Sequence, residues 1–201
     1  MMKDKQMIFV LLLLAVLGTC AAYLFLTSKG IGLDNLVFLK QTRKRPDGGN
    51  DYPGNIILES KVFLNEGTVP EKYTCKGTDV SPPLQISNVP KETKSLALVV
   101  EDPDAPYKTW THWIAYNISP KVTQIGENVV PWGTELGEND FGVAQYRGPC
   151  PPSGQHRYVF RVYALDTILN LEKGANIDQF KEGIKGHILD IGELTGVFEK
   201  K

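Results

Sequence analysis

Leu96–Val100 (LALVV) is an unbroken apolar run that stops at Glu101-Asp102-Pro103-Asp104-Ala105-Pro106. So short a run, closed by a proline-rich turn, reads as a strand buried on both faces, and therefore as a central one. Each proline fixes its own φ and biases the preceding residue to extended geometry, so the turn is stiff. A short loop follows, with His112 between Trp110 and Trp113 at the start of a second strand, Trp113–Ile118. A stiff loop at two strand ends can hold acids and a histidine in fixed positions, as a binding site requires. The competing reading is an Asx-type turn, with Asp102 and Asp104 bonding their own backbone.

Tyr146–Tyr158 (YRGPCPPSGQHRY) repeats this arrangement: a rigid loop delivers His156 and Tyr158 to the strand Tyr158–Ala164. Alternation puts Tyr158, Phe160 and Val162 on one face of that strand and Arg161 on the other. Ile56–Phe63, Thr68–Thr74 and Leu84–Ile86 read as further strands, with turns at Asn65-Glu66-Gly67 and Ser81-Pro82-Pro83. Val122–Gln145 is a long, glycine-rich connection. Near the C-terminus Asn176 and Gln179 have the spacing of a helix capping box. Phe180 and Ile184 begin an apolar stripe that Ile188, Ile191 and Leu194 continue beyond Gly186. Thirteen prolines and nineteen glycines among many short apolar runs favour an all-β domain. The expected fold is a β-sandwich with C-terminal helices packed beside it.

DPDAP (Asp102–Pro106), WxHW (Trp110–Trp113) and GPCPPxGxHRY (Gly148–Tyr158), in that order, resemble the phosphatidylethanolamine-binding protein family. The likeness is to its bacterial and archaeal branch, the Raf kinase inhibitor-like proteins. It runs from about Ile56 to Phe198 and includes Tyr73–Leu84 (YTCKGTDVSPPL) and His187–Phe198 (HILDIGELTGVF). The resemblance implies two antiparallel sheets with peripheral helices. It also implies a small pocket lined by Asp102, His112, His156 and Tyr158, with Asp104, Gly148 and Pro151 in its wall, that accepts an anion such as a phosphate head group. These residue types suit an anion site. Histidine and tyrosine donate hydrogen bonds, and backbone N–H groups of the glycine-rich loop can join them. Asp102 would orient a histidine and raise its pKa, or accept a bond from an ethanolamine ammonium. His187 reads as a structural residue. The loop between Pro106 and His112 is shorter than in eukaryotic members, and Tyr107 replaces a small polar residue, so access to the pocket differs.

The expected function is non-catalytic binding of a small anionic, phosphate-bearing ligand or phospholipid head group, with no cofactor. One alternative is an inhibitor or regulator of a protease or kinase acting through protein contacts. The other is a hydrolase, for which the nucleophile is hard to find: Cys150 sits in a proline-rich turn and Ser153 is not in a nucleophile elbow. A metal held by His112, His156 and Asp102 would have an open position, but no ligand pair has the short helical spacing of common zinc motifs. A net charge of −1 gives no support for nucleic-acid binding. Cys75 and Cys150 either form a disulfide or remain as two buried thiols.

Met7–Leu26 spans 20 residues without a charge, enough to cross a bilayer as a helix. It reads as an uncleaved anchor, as a cleaved signal peptide, or as a lipoprotein leader that ends at Cys20. The expected organisation is a signal or transmembrane segment over 1–28, a flexible linker over 29–55 bearing Lys40–Arg45, and the domain over 56–201. The domain is expected outside the cytoplasm, held at the membrane or secreted. The basic residues after the span argue against export by charge count, while the basic start before an apolar run has the form of an export signal.

Overall fold

The computed structural model describes residues 53–200. The expected membrane or signal segment, lipidation at Cys20 and nearly all of the linker lie outside the described residues. Among the described residues no helix is long and apolar enough to cross a membrane.

Among the described residues, nine strands form two sheets. In chain order they are β1 (Ile57–Glu59), β2 (Gly67–Thr68), β3 (Leu84–Ser87), β4 (Ser95–Asp102), β5 (Trp110–Ile118), β6 (Gln124–Ile125), β7 (Glu135–Gly137), β8 (Gly154–Leu165) and β9 (Ile188–Lys200). The large sheet runs β2-β9-β8-β4-β5-β7 and the small one β1-β3-β6. All pairings are antiparallel except β2 with β9. All eight residues of β4 are buried, between β8 and β5, because an apolar strand is stable only where both faces are covered.

Alternation divides the strands of the large sheet between two cores. Leu96, Leu98 and Val100 of β4 and Tyr158, Phe160 and Val162 of β8 point inward, against Leu58, Leu84 and Ile86 of the small sheet. Ala97 and Val99 point outward, with Ile114, Tyr116 and Tyr163, under the helix α1 (Ile177–Ile184). That helix begins with the expected capping box: Asn176 Oδ1 accepts from the Gln179 N–H, and Gln179 Oε1 accepts from the Asn176 N–H. Its Phe180 and Ile184 are buried on the outer core, each contributing roughly 1.5–3 kcal/mol.

Four expectations are corrected. Thr68–Thr74 is not one strand: Pro70 lacks a ladder N–H, and Glu71–Tyr73 turn as a 3-10 helix after it. The connection Val122–Gln145 contains the short strands β6 and β7. Ile56–Phe63 pairs only over Ile57–Glu59. The fourth concerns the C-terminus, where α1 is the only α-helix among the described residues and His187–Phe198 lies mainly in the longest strand, β9. The helix-like spacing of Ile188 and Ile191 comes from a bulge. Register shifts between Ala164 and Leu165, so Ile188 pairs with Leu165 and Asp190 with Ala164. The extra residue puts Ile188 and Ile191 on the outer face and Leu194 on the inner one. Gly196 on the inner face leaves room for Val69 and Phe63 to pack against β9, since a Cβ there would come 3.0 Å from the Phe63 ring and closer still to Val69.

Candidate functional site

The four residues singled out from the two motifs meet at one end of the inner core. Asp102 ends β4 two residues after Val100, so its side chain points inward. His156 and Tyr158 continue the inward series of β8. His112 needs a further device, because its neighbour Trp113 already points inward. A bulge supplies it: Val100 pairs with Trp113 and Glu101 with Thr111, which leaves His112 as the extra residue. The His112 ring stands edge-on to Tyr158, with centroids 5.2 Å apart.

Asp102 is the hub. Its Oδ2 lies 2.7 Å from His156 Nδ1, and its Oδ1 accepts from the Asp104 N–H at 2.9 Å. The Asx turn and the histidine partnership therefore coexist on one carboxylate. Tyr158 is fully buried, and burial and the Asp102 charge hold its hydroxyl far above the usual tyrosine range, so it stays protonated. That hydroxyl accepts from the Cys150 N–H at 3.2 Å.

His112 Nδ1 lies 2.7 Å from the Arg147 carbonyl, which accepts, so this nitrogen carries the proton and Nε2 is the ring's remaining polar atom. Burial pushes the imidazole below the usual histidine range. The Arg147 carbonyl and Asp102 pull the other way, as expected of a carboxylate near a histidine, and do not prevail over burial.

Asp102 and His112 line a cavity of about 340 Å³. The rest of its wall is mostly apolar: Ala105 and Pro106 from the first motif, Trp110, Phe141, and Cys150 and Pro152 from the second. Tyr107 and Lys108 stand at its mouth, Tyr107 fully exposed. His156, Tyr158, Asp104, Gly148 and Pro151 are not among the lining residues. His156 acts on the cavity through Asp102, and Tyr158 through His112. Asp104 turns outward to a bidentate pair with Arg157, at 2.7 and 2.9 Å. Pro151 is buried.

Gly148 serves the scaffold. Its N–H donates to Asp79 Oδ1 at 2.6 Å, and a Cβ there would come within 2.8 Å of the same oxygen. The Arg147 N–H goes to the His112 carbonyl and the Cys150 N–H to Tyr158. These N–H groups of the glycine-rich loop are thus spent within the protein and do not face a ligand. The loop is stitched to residues 73–79 by the Cys75–Cys150 disulfide, the Cys75 N–H to the Pro149 carbonyl, and the Tyr146 hydroxyl to the Tyr73 carbonyl. Of the two cysteine readings, the structure takes the disulfide, so Cys150 offers no thiolate. Among the described residues no group of His, Cys, Asp and Glu is arranged to hold a metal ion. His187 is half-exposed and pairs with Asp166.

Sequence reading passed over four contributors. Buried Asn139 bonds the carbonyls of His112 and Gln145 and the N–H of Phe141, and so holds the Phe141 ring 5.2 Å from His112. Asp140 accepts from the Thr111 N–H and from Lys108 Nζ, both at 2.6 Å. Asp79 anchors Gly148. The sequence signal for Asn139, Asp140 and Phe141 was Asn-Asp-Phe-Gly at 139–142, a turn-forming group set against an aromatic, which has no meaning until the turn is placed beside β5.

Known proteins resemble this chain over nearly the whole of the described domain. The family described as phosphatidylethanolamine-binding protein matches residues 59–199. A UPF0098 protein of Methanothermobacter thermautotrophicus is 49% identical over 148 residues, covering 71% of this chain and 98% of that protein. A UPF0098 protein of Chlamydia trachomatis is 44% identical over 148 residues, with the same two coverages. Among solved structures, a phosphatidylethanolamine-binding protein homologue from Chlamydia trachomatis superposes with a TM-score of 0.70 at 42% identity, covering 74% of this chain and 99% of that one. Escherichia coli YbcL, described as a member of the mammalian family, superposes with a TM-score of 0.69 at 31% identity, covering 73% and 99%.

Proposed function

The chain belongs to the phosphatidylethanolamine-binding protein family, and on that premise we propose that its domain binds a small anionic, phosphate-bearing ligand or head group without chemical conversion. The observation that carries this reading is the placement of Asp102 and His112 at the cavity, with His156 locked behind Asp102. Neutral His112 presents an acceptor at Nε2, and Asp102 is an acceptor too. An oxyanion therefore enters with a proton, either on its own oxygen or on His112, and donor and acceptor then match. Binding strengthens as pH falls into the range where His112, which burial holds below the usual histidine value, takes up a proton, until the ligand itself is neutralised. Cys150 is committed to a disulfide and so supplies no thiolate nucleophile beside the cavity.

Calorimetric titration with phosphorylethanolamine and with inorganic phosphate tests the proposal. Wild-type protein binds at millimolar or lower concentration, and Asp102→Ala and His156→Ala abolish binding while the far-UV circular dichroism is retained. Unchanged affinity in both variants would move the site elsewhere.

The disulfide and the apolar segment Met7–Leu26 support a domain working outside the cytoplasm at a membrane surface. Protease added to intact cells should remove the domain. Protection until lysis would place it inside.

A further inference from the structure

Resting on the anion-binding reading, we infer that Lys108 supplies the positive charge of the cavity, and that the ligand is an anion carrying an apolar body. The groups expected to attract an anion do not do so by themselves. Asp102 is a carboxylate, burial disfavours the charged form of His112, and the N–H groups of Arg147, Gly148 and Cys150 are bonded within the protein. Among the residues that line the cavity, Lys108 is the one lysine or arginine.

The position of Lys108 suits the role. It stands at the mouth, over the Trp110 ring at 5.3 Å, and its side chain is half-exposed. Its present partner, Asp140, keeps the Thr111 N–H at 2.6 Å when the lysine swings away. The ammonium end of the pair is the exposed one, at 56% against 14% for Asp140, so Lys108 can be redirected while Asp140 stays in place on the Thr111 N–H. The same pair keeps Lys108 beside the cavity when no ligand is present.

The apolar part follows from the walls. Beyond Asp102, Lys108 and His112, the lining offers chiefly Trp110, Phe141 and Pro106. A bare phosphate would leave these surfaces unused. A phosphomonoester with an aromatic or short alkyl substituent places its oxygens between Lys108 and His112 and its body against the two rings.

The experiment titrates inorganic phosphate and phenyl phosphate into the wild-type protein and its Lys108→Met, Lys108→Arg and Asp140→Asn variants. Phenyl phosphate should bind wild type about tenfold more tightly than phosphate. Lys108→Met should weaken both probes about tenfold or more, Lys108→Arg should restore them, and Asp140→Asn should match or exceed wild type. Unfolding temperatures of the two Lys108 variants should equal that of wild type, which separates charge from structure. If wild type binds and Lys108→Met binds equally well, the role of Lys108 falls while the anion reading stands. If phenyl phosphate binds no more tightly than phosphate, the apolar body falls. If wild type binds neither probe at millimolar concentration, the anion reading itself falls, and this inference with it.

Discussion

Glu101 and Asp102 are neighbours on β4, both nearly inaccessible at 4% and 3% exposure, and they lie on opposite faces of the large sheet. Glu101 faces outward and meets two cations: Arg161 Nη1 at 2.8 Å and Lys181 Nζ at 3.0 Å, with Arg161 Nε also bonded to Glu193 at 2.5 Å. Asp102 faces inward, borders a cavity and meets a single histidine, His156. A buried carboxylate is costly unless compensated. The outer face compensates with two cations from neighbouring elements, and so it holds structure. The inner face leaves compensation to a histidine and to whatever enters the cavity, and so it can respond to a ligand.

The contrast breaks most visibly at the disulfide, which staples only the inner site. Cys75 and Cys150 are 75 residues apart, and the chain-entropy estimate for a loop of that length is about 4 kcal/mol. A Cys75→Ser/Cys150→Ser double variant should lose about that much stability in denaturant unfolding and bind phosphate more weakly, because Cys150 is part of the cavity wall. Loss of stability with unchanged binding would show that the wall is held by its hydrogen bonds alone. Next in size is Arg161→Met, which leaves Glu101 with Lys181 only and should cost about 3 kcal/mol, with anion affinity unchanged. The paired isosteric changes then sharpen the comparison. Asp102→Asn should cost about 1 kcal/mol and remove binding, whereas Glu101→Gln should cost about 2 kcal/mol and leave binding intact. Equal effects on binding would mean that the two faces are not separate in function.

The sequence carried local patterns on both faces of the large sheet better than it carried long-range pairing. Leu96–Val100, the alternation from Tyr158 to Val162 and the Asn176 capping box are local patterns, and each folds as read. Asp102, His112, His156 and Tyr158 converge because both motifs end strands that pair with β4 or belong to it. The errors fell where local pattern and long-range pairing disagree. The β9 bulge gave Ile188 and Ile191 a helical spacing, and only pairing with β8 decides between strand and helix. The ions around Glu101 come from β4, β8, β9 and α1, so no window of sequence contains them. Lys108, Asn139 and Asp140 were missed for a related reason: their value lies in which strand the 139–142 turn packs against. The wall assigned to Gly148 is instead a scaffold contact, visible only once Asp79 is beside it.

The smallest expected effect tests burial as the variable in this comparison. Asp104–Arg157 has the same chemistry as Glu101–Arg161, but its carboxylate side chain is 31% exposed against 5% for Glu101. The hydrogen bond from Arg157 lowers Asp104 from its ordinary 3.8 to about 2. A carboxylate lowered on folding contributes stability above its unfolded value, and that contribution is lost as pH falls toward about 2. Solvent screening keeps it small, below about 1 kcal/mol at neutral pH. Arg157→Met should therefore lower stability by less than that at pH 7 and have little effect near pH 2, where Asp104 is about half protonated in the wild type and mostly protonated in the variant. Urea midpoints measured across pH 2–7 check this. A loss at pH 7 as large as that of Arg161→Met would mean that something other than burial sets the worth of these pairs.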